Sequence, residues 1–461
     1  MSLSSGLAIA LSALQASQGA EAVTANNVAN ANTPGYSRQV AELAPMPPET
    51  IGNVQYGAGV ELTGVRSITD TLITNQIQQQ QQQNGQAAAF QGAMQPVQQM
   101  FAETQGTGLE GDIGNFFNSL QQLETQPTDT PTRQAVLNAA QTMASGFNQT
   151  AAQLASQRTN ADQQVLQTVA QVNSLSQQIA GVNAEIGGLP PNSSGAGQLS
   201  DQRTQLISQL SQLVQVQSVT TNSGMVNLTT VGGGALVVGG QSQALTTQVN
   251  AATGMHDVYA QGTDITTALG ASAGGGELGG YIQARDQAIP QLQSQLDTLA
   301  AGLASAVNTQ NQAGYTLSGA AGGNFFTPPP AGVTGAAAAF SLAISNPADI
   351  AASSDGTAGS NGNAVALANL RSQPIVAGQT PDAYYANAVS QLGTEIQNAN
   401  VRQQAGAQLL AGLQNQLGAV SGVSLNEEAA HLMQYQQAYD AAAKVASTID
   451  AMMQSAMQMV P

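Results

Sequence analysis

"SLNEEAAHLMQYQQAYDAAAKVASTIDAMM", residues 424 to 453, is the most regular stretch of the chain, and its reading governs the rest. Ser424 and Glu427 fit the S-x-x-E pattern of a capping box, which starts a helix. Two heptad rows follow. Leu425, Leu432, Tyr439, Ala446 and Met453 make one, and Glu428, Tyr435, Ala442, Ile449 and Ala456 make the other. The spacing predicts a helix over residues 425–458, roughly 50 Å long. Such rows need a partner helix, and the opposite end of the chain offers one. In "LAIALSALQASQGAEAVTANNVAN" (7–30), Leu7, Leu11, Leu14, Ala25 and Val28 keep a four-then-three rhythm that Gln18 and Glu21 interrupt. A helix over 5–31 is expected there. Asn26, Asn27, Asn30 and Asn32 crowd its close, and Thr33-Pro34-Gly35 stops it, Pro-Gly suiting the centre of a type II turn.

The chain between these ends reads as helices interrupted once by strands. Residues 36–66, with Pro45, Pro47 and Pro48, read as irregular with short strands. Helices are expected at 68–104, including the glutamine run 78–83, and at 112–124, 131–186 and 198–214; "GGLPPNSSGAG" (187–197) is a loop. From about residue 215, β-branched residues broken by glycine predict short antiparallel strands as far as 275. A helix returns at 279–312. Residues 313–355 are rich in Gly and Pro with one strand expected at 338–344, and helices resume at 362–371 and 381–419. The expected fold is mainly α with inserted β: an elongated rod of terminal coiled-coil helices, a long helical bundle and a small β-rich outer module. Its divisions are 1–32 with 424–461 as the terminal coiled coil; 33–214, 276–312 and 356–423 as the bundle with its connecting segment; 215–275 as the β-rich insert; and 313–355 as a loop and short-strand segment.

Composition narrows the function. Of 461 residues only 8% are charged and 4% aromatic, and the formal net charge is −17. An acidic chain with a single lysine, Lys444, lacks the basic face that nucleic acid or an anionic membrane surface requires, so neither is an expected partner. No cysteine is present, which excludes disulfides, thiolate metal sites and thiol catalysis. "LAIALSAL" (7–14) has the apolarity of a signal-peptide core but no preceding Lys or Arg, so an amphipathic assembly helix is the better reading. Catalytic patterns are weak. His256, in "GMHDVYA", reads as a solvated strand or loop histidine. Glu428-x-x-His431 is half of a helical di-iron pattern whose second half is missing, and Glu427 and Glu428 suit the positive start of their helix. "GTGLEG" (106–111) follows a helix where a dinucleotide site needs a strand, and the glycine triplets at 232–234 and 274–276 lack the G-K-[ST] ending of a phosphate loop. No catalytic, cofactor or metal residue is assigned, and an enzyme is not expected.

The two ends together carry a resemblance. "LAIALSALQASQGAEAVTANNVANANTPGYSRQ" resembles the N-terminal motif of the flagellar axial family of rod, hook and hook-associated proteins, and "SGVSLNEEAAHLMQYQQAYDAAAKVASTIDAMM" resembles its C-terminal helix. Within the family, "TPGYSRQ" and "MQYQQAYDAAAKV" are similar to the hook–filament junction members. "TGLEGDIGNFFNSLQQLETQPTD" and "LGGYIQARDQAIPQLQSQLDTLAAGLASAVN" agree with that in the interior. The resemblance implies a structural subunit of the bacterial flagellum, exported unfolded by the type III route without a cleaved signal and located outside the cell at the hook–filament junction. It implies a ring of identical subunits, with hook protein below, a second junction protein and the filament cap or flagellin above, and an export chaperone on the C-terminal helix. A distal rod or hook subunit of the same family is the alternative. From another class, an enzyme or adhesin function would reside in the β-rich insert.

For such an assembly the candidate residues lie at the termini. Leu7, Leu11 and Leu14 are expected to meet the row of Leu432, Tyr439 and Met453, with Leu425, Tyr435 and Ile449 on the same helix. Asn27 and Asn30, one turn apart, are expected to bond neighbouring subunits, since an amide satisfies foreign backbone without burying charge. Thr33, Pro34 and Gly35 form the turn, and Tyr36 and Arg38 beyond it are expected to anchor the connecting segment to a neighbouring subunit, a plain loop being the alternative.

Overall fold

In the computed structural model, which describes residues 3–51, 54–102, 107–190 and 192–458, both ends of the chain are long helices, α1 (Leu3–Asn30) and α11 (Leu425–Gln458). They pack antiparallel as a pair, with Asn27 level with Glu428 and Gly6 level with Ile449. After α1 the connecting segment makes two nested hairpins: β1 (Gln39–Pro45) pairs with β4 (Val60–Ser67), and β2 (Glu49–Ile51) with β3 (Val54–Tyr56) between them. This segment, grouped by sequence with the bundle, packs on α1.

Four helices follow: α2 (Thr71–Met100), α3 (Gly108–Thr125), α4 (Thr130–Gly187) and α5 (Ser194–Leu213). The starts of α2 and α4 have local causes. Asp70 accepts from the Leu72 and Ile73 amides, and Asp129 accepts from Thr132 with Pro131 in the first turn. At 58 residues, α4 spans about 87 Å and is the longest helix among the described residues.

The β-rich insert holds a four-stranded antiparallel sheet and a three-stranded one. The first is β5 (Gln217–Thr220), β6 (Val226–Thr229), β7 (Ala235–Val238) and β8 (Gln241–Ser242), in that order. The second is β9 (Leu245–Val249), β10 (His256–Ala260) and β11 (Thr263–Asp264), with β10 central. Strand character ends at Asp264 rather than 275. The Asp264 carboxylate accepts from the Thr266 amide, and a short helix, α6 (Thr266–Ala271), starts there.

Helices α7 (Gly276–Gln283) and α8 (Ile289–Gln312) form one run interrupted by a π-helical turn at Ala284–Ala288. Helix α9 (Gly362–Asn369) and the 41-residue α10 (Pro381–Ser421) complete the return to α11. The strand expected at 338–344 does not form. Phe340 is drawn into the bundle core, stacked 4.7 Å from Phe326, and only an isolated bridge joins Phe326 to Leu342.

Two apolar cores result. One, inside the bundle, is built on Phe116, Phe117, Phe147, Phe325 and Phe326; the other joins α4 and α5 to the sheets through Val165, Ile179, Leu210, Leu228 and Val258.

Candidate assembly interface at the termini

The seam between α1 and α11 is one of small residues against large ones. On α11, the two heptad rows merge into one face: Glu428 and Ala442 are buried, and Leu432, Tyr435, Tyr439, Ile449 and Met453 are half-buried. On α1, the residues at matching four-three spacing are Ala10, Ala13, Ser17, Ala20, Thr24 and Asn27, all buried or half-buried. Small side chains let the axes approach closely, so the tyrosines of α11 lie over α1. The Gln18 amide reaches the Tyr439 hydroxyl at 3.4 Å, and the Gln436 amide reaches Glu21 at 3.3 Å.

Of the three leucines expected to meet α11, Leu7 and Leu14 are half-buried, and Leu11 is 48% exposed on a cleft of about 390 Å³ shared with Met46 and Tyr56. Leu425 belongs to the heptad row but is 54% exposed, because α1 ends at Asn30 and offers nothing to cover it.

At the end of the seam four elements meet on one amide. Asn27, 1% exposed, donates to the Gln39 carbonyl (2.8 Å) and to Glu428 Oε2 (2.9 Å); its Oδ1 accepts from the Tyr36 hydroxyl (2.8 Å) and the Gln39 amide (2.9 Å). Two donors and two acceptor sites are all an asparagine has. The expected inter-subunit role for Asn27 is thus corrected: its amide is saturated inside its own chain. Asn30 also bonds locally, donating to the Asn26 carbonyl and side chain and accepting from Thr33.

The turn Thr33–Tyr36 closes with the Tyr36 amide on the Thr33 carbonyl at 3.2 Å, and Gly35 sits at φ +78°, the value a type II turn needs at its third residue. A Cβ on Gly35 would strike the Gln205 amide, which donates to the Pro34 carbonyl and so docks the turn on α5. Beyond the turn, Ser37 donates its amide to the buried Asp201 carboxylate of α5 (2.9 Å). Arg38 donates its amide to the Ser421 carbonyl at the end of α10 (2.8 Å) and its guanidinium to Glu427 (2.8 Å). Glu427, expected to reach back to Ser424, thus carries its carboxylate across to the connecting segment.

Burial, with the nearby charges of Asp201 and Glu428, pushes the Tyr36 phenol up to about 12, so it stays a donor. Burial also raises Asp201 above the usual carboxylate range, against the pull of the Ser37 bonds. The sequence did not single out Asp201, Gln39 or the small-residue seam, and it gave Glu428 a heptad position and a place at its helix start but not this bond to Asn27. Only the seam left a signal, a four-three repeat of Ala, Ser and Thr.

The histidines are placed differently. His431 is exposed beside the Tyr435 ring. His256, expected on a solvated strand or loop, opens the strand β10 half-buried, with its Nδ1 2.7 Å from Asp162. Of "GTGLEG", Gly106 lies outside the described residues, and Gly108 opens α3. Among the described residues no group of His, Cys, Asp or Glu is arranged to hold a metal ion, and no helix is long and apolar enough to cross a membrane.

Comparison with known proteins places these features in a family. Residues 94–326 match the model of the flagellar hook-associated protein FlgK helical domain, residues 416–459 the flagellar basal body rod FlgEFG protein C-terminal model, and residues 7–36 the flagella basal body rod protein model. The chain is 31% identical to flagellar hook-associated protein 1 of Bacillus subtilis over 96% of both chains. It is 31% identical to flagellar hook-associated protein 1 of Escherichia coli over 69% of this chain and 59% of that one. In fold it is similar to the flagellar hook junction protein FlgK from Burkholderia pseudomallei, with a TM-score of 0.66 over 75% of this chain and all of that one, at 20% identity.

Proposed function

The chain belongs to the flagellar hook-associated protein 1 family, and from that premise we propose that it is the structural subunit whose copies form the junction ring between hook and filament, joined through the outward sides of their terminal helices. The supporting observation is where apolar surface is left open. Leu11 and Val28 on α1, Val401, Leu409 and Val420 on α10, and Leu425, Met433, Val445, Met452 and Met457 on α11 are all exposed. Among the described residues α11 carries more of them than any other element, and exposed apolar groups gathered along one helix call for a covering partner. The α1–α11 seam uses up the inward sides only, so the outward ones are available to sister molecules.

In this reading the terminal pair lines the tube, with the bundle and the β-rich insert farther out. The neighbours are hook protein below and, above, a second junction protein with the filament cap or flagellin. Export by the type III route fits a chain without cysteine, since nothing cross-links it in transit, and a chaperone would cover α11 until assembly. The two terminal models name rod proteins, so a distal rod or hook subunit is the second reading; the helical-domain match favours the junction.

The test is a strain producing Leu11→Asp with Met433→Asp. Both side chains point away from the seam, so the purified variant keeps the parent's thermal midpoint within about 2 °C, as exposed substitutions do. Cells should export it and carry complete hooks without filaments under the electron microscope. Normal filaments and swimming would refute the reading; loss of the hooks themselves would move it to the rod or hook alternative.

A further inference from the structure

A polar layer separates the two apolar cores. On α4 the bundle core ends at Leu154 and the insert's core begins at Val165; on the α7–α8 run the change falls between Ile282 and Ala284. At that level stand Asp162, Arg285, Asp286 and, from the insert, His256. Arg285 is wholly buried. Its Nη1 donates to Asp162 Oδ1 (2.7 Å) and to the His256 carbonyl (2.6 Å), while Nε and Nη2 donate to the two oxygens of Asp286 (2.8 and 2.7 Å). Asp162 also accepts from the His256 amide (2.9 Å), and its second oxygen meets the His256 ring at 2.7 Å.

The π-helical turn explains how the backbone serves this layer. The Ile289 amide bonds to the Ala284 carbonyl, and the next residue in that register is Pro290, which has no N–H. The Arg285 carbonyl is left over, and Arg158 of α4 takes it at 3.1 Å. Three elements are thus tied through one arginine at the one level where apolar packing stops.

We propose that Arg285 is the angle-setting residue of a joint between the helical bundle and the β-rich insert. Apolar contacts tolerate sliding and rotation, whereas a forked guanidinium between two carboxylates and a carbonyl accepts one geometry. Charged groups shut away from water add little net stability but can specify one arrangement among several, and that is the role assigned here. The insert is held to the rod at a fixed rotation by this layer, and the apolar cores on either side keep each body folded.

Because the chain has no cysteine, the joint is measurable directly. Gln141→Cys on α4 and Ala251→Cys in the β9–β10 turn, both exposed, accept spin labels, and double electron–electron resonance on the full chain gives the distribution of distances between them. Replacing the layer with Arg285→Met and Asp162→Leu should at least double the width of that distribution while amide exchange within each core stays as in the parent. His256→Phe, at a half-exposed position, should broaden it less and serves as the test if the double variant does not fold. A parental width in the folded double variant, or in His256→Phe where the double variant fails to fold, overturns the proposal.

Discussion

Asn27 shows how one side chain takes on a task that composition alone does not reveal. Its four bonds join α1, the connecting segment and α11, so Asn27→Ala leaves the Glu428 carboxylate and the Gln39 amide buried without partners. The expected loss is about 3 kcal/mol in denaturant unfolding; a loss no larger than that of an exposed Asn→Ala control would show that water replaces the amide freely. Asp201 works in the opposite sense. Its pKa is raised in the folded state, because burial disfavours the charge, so at neutral pH the folded protein carries a cost that lessens as pH falls through the folded value. Asp201→Asn, which keeps an acceptor for the Ser37 amide, should therefore be more stable than the parent at pH 7, with the gap closing in acid. An equal destabilisation at every pH would contradict it. For Asp162 the sign reverses: burial raises its pKa, but the bonds from His256 and Arg285 outweigh that and hold it below the ordinary range, so its contribution is present at neutral pH and lost only in stronger acid.

Among the elements, the terminal pair shows what a sequence displays and what it hides. The heptads of α11 were readable because Leu, Tyr, Ile and Met contrast with their neighbours, and its described bounds match the expected 425–458. The small residues of α1 were not, because Ala, Ser and Thr have almost no hydropathy contrast, and of the conspicuous leucines Leu11 is left exposed. The close packing of α1 is testable at Ala20, which is wholly buried. Ala20→Leu should cost about 2 kcal/mol by overpacking, whereas Leu11→Gln should change stability by less than about 0.5 kcal/mol. Thermal unfolding of the two purified variants compares them, and equal effects would mean α1 is not close-packed there. The pairing of His256 was hidden for another reason: its partner Asp162 lies 94 positions away, and no local pattern announces such a pairing.

The whole molecule is an out-and-back chain whose long helices were readable from periodicity and whose sheets were readable from the change to β-branched residues and glycine. The level at which one core gives way to the other was not, since it depends on contacts among α4, the π-helical turn and β10 that only folding creates. The same holds for the terminal site: the sequence shows apolar rows, and the fold decides which rows are used up within the chain and which are left for neighbours. The account rests on the second set being completed by sister molecules. The most direct measurement is hydrogen exchange on the purified full chain, free and after addition to isolated hooks. Exchange across 3–30 and 425–458 should slow at least tenfold on assembly while 217–264 stays unchanged; termini equally protected in both states would contradict it.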